Sequence, residues 1–143
     1  MSKIFIGGSI GIRYLDYAVK DELDKYMNGE LEILVGDAYG IDSLVQRYLK
    51  EHDYDNVTVY ASNGRARNNI GGWQVEKIEV PSGVFGRDFY TYKDVAMTND
   101  CDSALMIWDG RSIGTLNNIM RLRSLHKRCI VYSGEKFYEG GVV

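Results

Sequence analysis

Five short apolar runs, separated by segments with apolar residues at helical spacing, leave this chain few folds to choose from. Lys3 to Gly7 is the first run, and Gly7-Gly8-Ser9 closes it as a buried strand would close. Ile12, Leu15, Val19, Leu23, Tyr26 and Met27 then recur on one helical face, with Asn28-Gly29 as a C-cap. Leu31 to Val35 is a second strand, stopped by Gly36. Behind it Ile41, Leu44, Val45, Tyr48 and Leu49 form the clearest amphipathic stripe in the chain. Val57 to Ala61, Ser103 to Trp108 and Arg128 to Tyr132 complete the strands, and Leu116 to His126 reads as a helix.

The middle of the chain is less regular. Ser62 to Gly72 is polar and has no apolar period, so a loop is expected there. Trp73, Val75, Ile78 and Val80 alternate with one slip, which suits an edge strand or a hairpin arm ended by Pro81-Ser82-Gly83. Arg87 to Asn99 reads as a helix of weak period. Near-continuous apolar strands that alternate with helices make a parallel sheet covered on both faces, and right-handed crossovers make it doubly wound. The expectation is therefore an α/β, Rossmann-like doubly wound, mainly parallel five-stranded sheet with helices on both faces. An extra edge strand or hairpin near 73–80 is added, in one domain over residues 1–143. Glu139 to Val143 are expected to fray.

Composition narrows the partners. A net charge of −3 gives no global attraction to a phosphate polymer or an anionic membrane, so nucleic acid is not an expected partner. Any phosphate must be held by a local site. Met1-Ser2-Lys3 runs straight into Ile4-Phe5-Ile6 without a signal-peptide pattern, and no apolar run is long enough to cross a bilayer. A cytoplasmic location follows, with no membrane partner. Cys101 and Cys129 read as reduced packing residues there, a disulfide being the alternative. No metal-ligand spacing is present, and no cofactor is expected. With eleven tyrosines, some are expected at the surface, and a homodimer is the usual assembly for such a domain.

In a doubly wound sheet, ligands lie beyond the carboxyl ends of the strands. Three strand ends here are rich in small and polar residues: Gly7-Gly8-Ser9, then Gly36-Asp37-Ala38-Tyr39-Gly40-Ile41-Asp42, then Asp109-Gly110-Arg111-Ser112-Ile113-Gly114-Thr115. Glycines at such turns let backbone N–H groups approach an anion, and the following helix N-terminus adds partial positive charge. Ser112 and Thr115 add hydroxyl donors. The spacing matches neither a dinucleotide fingerprint nor a Walker motif, which argues against NAD oxidoreduction and P-loop hydrolysis.

Individual side chains extend this site. Asp42 is a candidate for a ribose hydroxyl or for catalysis, against simple helix-dipole complementarity; Asp37 shares its turn. Asp109 stands at a strand's carboxyl end. Trp108 either packs or stacks on a base. Arg65, Arg67, Arg87 and Lys93, from the irregular middle, offer charges that can close over phosphate. Arg121, Arg123, Lys127 and Arg128 read as a solvated helix face, and His52 and His126 as surface residues.

Three segments carry a family resemblance. Gly36 to Asp42 resembles the "GGARGAD" segment of YspA-like proteins in the SLOG superfamily, which also takes in the DprA and LOG families. Ala104-Leu105-Met106-Ile107-Trp108-Asp109-Gly110-Arg111-Ser112-Ile113-Gly114-Thr115 resembles their "ALIAFWDGxSxGT" segment. Lys93-Asp94-Val95-Ala96-Met97 stands where many members have "RNxxM". The resemblance runs from Lys3 to about Tyr132, apart from Ser62 to Gly86. It implies a Rossmann-like fold binding nucleotides or nucleotide-derived ligands, with Gly114-Thr115 at the phosphate. LOG phosphoribohydrolases carry a catalytic glutamate three residues after that threonine; here the position is Asn118, and an amide cannot serve as a general base.

The functions in view are therefore binding or sensing of a nucleotide-derived small molecule, or cleavage or transfer of an N-glycosidic bond using Asp37, Asp42 or Asp109. A DprA-like nucleic-acid binder comes third, because the sequence is acidic.

Overall fold

The computed structural model describes residues 2–139. In chain order the elements are β1 (Lys3–Gly8), α1 (Tyr17–Asn28), β2 (Glu32–Gly36), α2 (Ile41–Glu51), β3 (Val57–Ser62) and β4 (Gln74–Ile78). They continue with α3 (Gly86–Asp100), β5 (Ser103–Ile107), α4 (Ile113–Ser124), β6 (Arg128–Ser133) and β7 (Lys136–Glu139). The strands form a seven-stranded sheet in the order β4-β3-β2-β1-β5-β6-β7. Every pairing is parallel except β6 with β7. The doubly wound α/β architecture is thus the one the periodicity implies.

The sheet is wider than the five strands read from apolar runs. β4 is a parallel edge strand beside β3, not a hairpin arm, and its residues are half-buried or exposed. β7 is a short hairpin partner of β6 with every residue exposed, so no apolar run marks it. Glu139 closes that strand, whereas the rest of the segment expected to fray lies outside the described residues. Helix α1 begins at Tyr17 rather than Ile12. Residues 12–16 approach it as a loop in which Ile12 and Leu15 still pack on the core.

Alternate strand residues feed two cores. Ile4, Ile6, Ile33, Val35 and Val59 meet α1 and α2 through Val19, Leu23, Ile41, Val45 and Leu49. Phe5, Leu34, Tyr60, Ala104 and Met106 face the other way, onto Met97 of α3 and Ile119 and Leu122 of α4. Cys101 and Cys129 are buried free thiols in this second core. Of the basic residues expected on the face of the last helix, Lys127 lies beyond its end and Arg128 starts β6, and both are put to structural use. Lys127 Nζ donates to the carbonyls of Thr98 and Asn99 at 2.7 Å, closing α3, and Arg128 pairs with Glu139. Several tyrosines are exposed, Tyr14, Tyr17 and Tyr39 most of all. Among the described residues, no helix is long and apolar enough to cross a membrane.

The winding direction reverses between β1 and β5, which are neighbours in the sheet. Loops leaving these two strands turn to opposite faces and open a crevice at their carboxyl ends. Close packing behind that crevice depends on Gly8. A Cβ there would press on the Ile107 carbonyl oxygen and lie 2.8 Å from Cγ1 of Ile41. Gly8→Ala is therefore expected to destabilise the fold by about 1–3 kcal/mol, as overpacking does, read as a lower urea midpoint at unchanged slope.

Candidate functional site

A cavity of about 570 Å³ opens at the carboxyl edge of the sheet, on the face covered by α3 and α4. That volume lies within the range of small-molecule sites. Of the residues singled out in the sequence, Gly7, Gly8, Ala38, Asp42, Lys93, Asp109, Ser112, Gly114 and Thr115 line it. They come from four separate segments, brought together by the β1/β5 reversal.

The remaining candidates stand behind or beside the cavity. Ser9 is fully buried and bonded to protein: its N–H donates to Ile107 O at 3.0 Å and its Oγ accepts from Asp109 N at 3.0 Å. Gly36 lies beneath the floor, where a Cβ would meet Asp42 Oδ2 at 2.5 Å. Gly40 takes φ +75° as α2 begins and abuts the Ile10 backbone, so its role is steric. Gly110, with φ +80°, turns the exposed loop after β5. Trp108 is half-buried, and its ring N–H donates to Ser112 O at 2.9 Å.

Asp37 is the largest departure from expectation. Its Oδ1 accepts from Arg67 Nη2 at 2.8 Å and its Oδ2 from the Arg67 backbone N–H at 2.9 Å. Its carbonyl accepts from Asn68 Nδ2 at 2.9 Å. Buried Gln46 completes the anchorage, donating to the carbonyls of Gly36 and Asn68 and accepting from Ile70 N. The polar 62–72 segment is thus held onto the sheet edge, and the Asp37 carboxylate holds it rather than a ligand. The Arg67 guanidinium lies 3.8 Å from the centre of the Tyr90 ring, joining that segment to α3.

Ser112 to Thr115 is not a loop but the N-cap and first turn of α4. Ser112 Oγ accepts from Thr115 N, and Ser112 O from Leu116 N. Helix geometry leaves the N–H groups of Ile113 and Gly114 without intrahelical acceptors. A Cβ on Gly114 would meet nothing within 4 Å, so open space adjoins those donors.

The floor of the cavity is a buried charge cluster. Lys93 is 4% exposed, Asp42 is 8% exposed, and Lys93 Nζ pairs with Asp94 at 2.8 Å. Burial opposes the charge on Lys93, but Asp94 and then Asp42 outweigh it and raise its pKa. Burial also raises the Asp42 carboxyl to about 7; Lys93 opposes this, and Asp94 adds to it. Its Oδ2 still accepts from Ala38 N at 3.1 Å. Asp109 behaves in the opposite way. Backbone N–H groups of Ser112 and, less strongly, Arg111 hold its pKa below the usual carboxylate range.

Several lining residues were not on the sequence-derived list. Tyr90, Asp94 and Met97 share one face of α3 with Lys93, at the i, i+3, i+4 and i+7 spacing of a helix. Anchored on Lys93, that spacing is the signal that points to them. Asn118 follows one turn after Gly114, and its Oδ1 accepts from Arg121. Of the arginines that the sequence did offer as charges over phosphate, Arg67 and Arg87 line the cavity and Arg65 does not; Arg111, from the turn after β5, lines it as well.

No protein-family model matches the chain, and no curated protein matches it either. The functional reading therefore rests on the site.

The Asp42 carboxyl yields a pH test. Its folded pKa stands above its ordinary 3.8, so between about pH 4 and 7 the native state holds a proton that the unfolded chain gives up. The contribution of Asp42 to stability accordingly declines as pH rises through that window. Asp42→Asn removes the ionisation, so chemical denaturation across pH 4 to 8 should show the variant gaining stability relative to the unsubstituted protein as pH rises. A constant difference would place the Asp42 pKa outside the window.

Proposed function

We propose that the cavity binds a nucleotide or nucleotide-derived ligand, with the first turn of α4 as its phosphate seat. The observation that carries this reading is the division of the cavity into an anion-favouring wall and a hydrogen-bonding floor. At the wall, the free N–H groups at the start of α4 and the Thr115 hydroxyl adjoin the open space beside Gly114. Arg87 and Arg111 add positive charge in a protein whose net charge is −3. At the floor, Asp42 offers a carboxyl that donates or accepts according to its protonation. Tyr90 adds an aromatic ring to the lining. The resemblance of Gly36 to Asp42 and Ala104 to Thr115 to YspA-like SLOG segments agrees with this assignment.

One observation favours a catalytic reading of the same cavity. A carboxyl with a pKa near 7 suits general acid work at neutral pH. In hydrolysis of a nucleoside, Asp42 would protonate the departing base as its bond to the sugar breaks, and water would supply the new oxygen on the sugar and return a proton. Asp37, engaged with Arg67, and Asp109, held ionised by backbone donors, suit that role less. Free base released during incubation with nucleosides or nucleotides distinguishes turnover from binding.

Calorimetric titration with a nucleotide panel tests the phosphate seat. Gly114→Glu places bulk and negative charge in the open space, and affinity should fall at least about a hundredfold, or ~2.7 kcal/mol. The fold should persist, because a Cβ at 114 would meet no atom within 4 Å. Thr115→Val should cost about 0.5–1.5 kcal/mol, since one hydroxyl is lost and the backbone donors stay. A folded Gly114→Glu protein that binds at full affinity would move the phosphate elsewhere.

A further inference from the structure

Arg67 lines the cavity, yet its charge is already committed. Buried Asp37 takes its Nη2 on Oδ1 at 2.8 Å and its backbone N–H on Oδ2 at 2.9 Å. A phosphate placed against this guanidinium would compete with a buried carboxylate for the same donors. What Arg67 offers the cavity is a shape and not a spare charge.

That shape is flat and held on two sides. A guanidinium is planar, with its donors around the edge and two faces that carry none. Asp37 fixes the edge. Tyr90 takes a face, since Arg67 Cζ lies over its ring at 3.8 Å from the centre. Tyr90 also lines the cavity, and Phe89 meets its ring edge to face at 5.1 Å. The segment that carries Arg67 is pinned as well: Asn68 Nδ2 donates to Asp37 O, and Gln46 Nε2 to Asn68 O. The Arg67 side chain is nonetheless 31% exposed. A long side chain held still before a ligand arrives lowers the ordering cost of binding.

The open face of such a guanidinium suits a planar π-system, which stacks on it as on an aromatic ring. In a nucleotide that group is the base, because neither the sugar nor the phosphate has a flat face to offer. Stacking takes a base by its face and not by its edges, so purines and pyrimidines are both accepted.

We propose that Arg67, held by Asp37 and backed by Tyr90, is the base platform of this cavity, with base, guanidinium and tyrosine stacked in that order. This inference rests on the nucleotide reading of the cavity, and the test separates the two. Titration calorimetry uses AMP, ADP, UMP and UDP, with ribose 5-phosphate as a ligand that lacks only the base. Arg67→Lys keeps a cation for Asp37 and the backbone N–H but loses the plane. Nucleotide affinity should fall about tenfold or more, the size of one lost stacking contact. Affinity for ribose 5-phosphate should change by less than about twofold. Tyr90→Phe should bind nucleotides as the unsubstituted protein does, whereas Tyr90→Leu should bind them more weakly, and urea denaturation checks that each variant is folded. Nucleotides that bind folded Arg67→Lys at full affinity, or an equal loss for ribose 5-phosphate, would overturn the platform and leave the nucleotide reading standing. If ribose 5-phosphate does not bind, the Tyr90 pair decides, and equal nucleotide affinities of Tyr90→Phe and Tyr90→Leu overturn the platform. Failure of every ligand to bind the unsubstituted protein would overturn the nucleotide reading and this inference with it.

Discussion

A single buried serine ties the functional edge of this protein together. Ser9 donates its N–H to Ile107 O, accepts Asp109 N on its Oγ, and accepts Ile12 N and Ile41 N on its carbonyl. The loops after β1, β2 and β5 thereby converge on one residue with no exposed surface. A buried polar group is costly unless its bonds are made, so these bonds hold the loops in a common arrangement. Gly8 permits it, because the adjacent α2 start and β5 end leave no room for a side chain.

Charge is distributed around the knot by the same rule. Asp37 is spent on Arg67 and the 62–72 segment, where its oxygens are satisfied by a guanidinium and a backbone N–H. Asp109 is satisfied by its own turn. Asp42 is different: it shares a buried ammonium with Asp94, and one backbone donor does not offset its burial. Two carboxyls sharing one buried lysine cannot both ionise cheaply. Burial, which the shared ammonium offsets only in part, therefore leaves Asp42 as a protonatable group in the cavity.

The irregular middle of the chain takes its order from outside itself. Residues 62–72 have no apolar period, yet Gln46, Asp37 and the Arg67–Tyr90 stack hold them between the sheet edge and α3. Asn69 and Trp73 close a local turn by exchanging hydrogen bonds between side chain and backbone. A polar segment with no face to bury can still be fixed when its backbone groups find acceptors and donors on rigid elements.

What the sequence determined by itself is local: five parallel strands, the helices between them, and small residues where strands end. These follow from spacings of two and 3.6 residues and from glycine at turns, which need only neighbours along the chain. The edges were less legible. β7 is exposed throughout, and β4 takes its place through pairing with β3 rather than through burial. The start of α4 was hidden too, since a serine N-cap with glycine behind it reads as a loop until the turn closes. Only the tertiary structure decided which of two aspartates five residues apart serves the fold and which faces the cavity. Asp37 meets Arg67 across 30 positions, and Asp42 meets Lys93 of α3. No period along the chain records such meetings, because the winding of the sheet creates them.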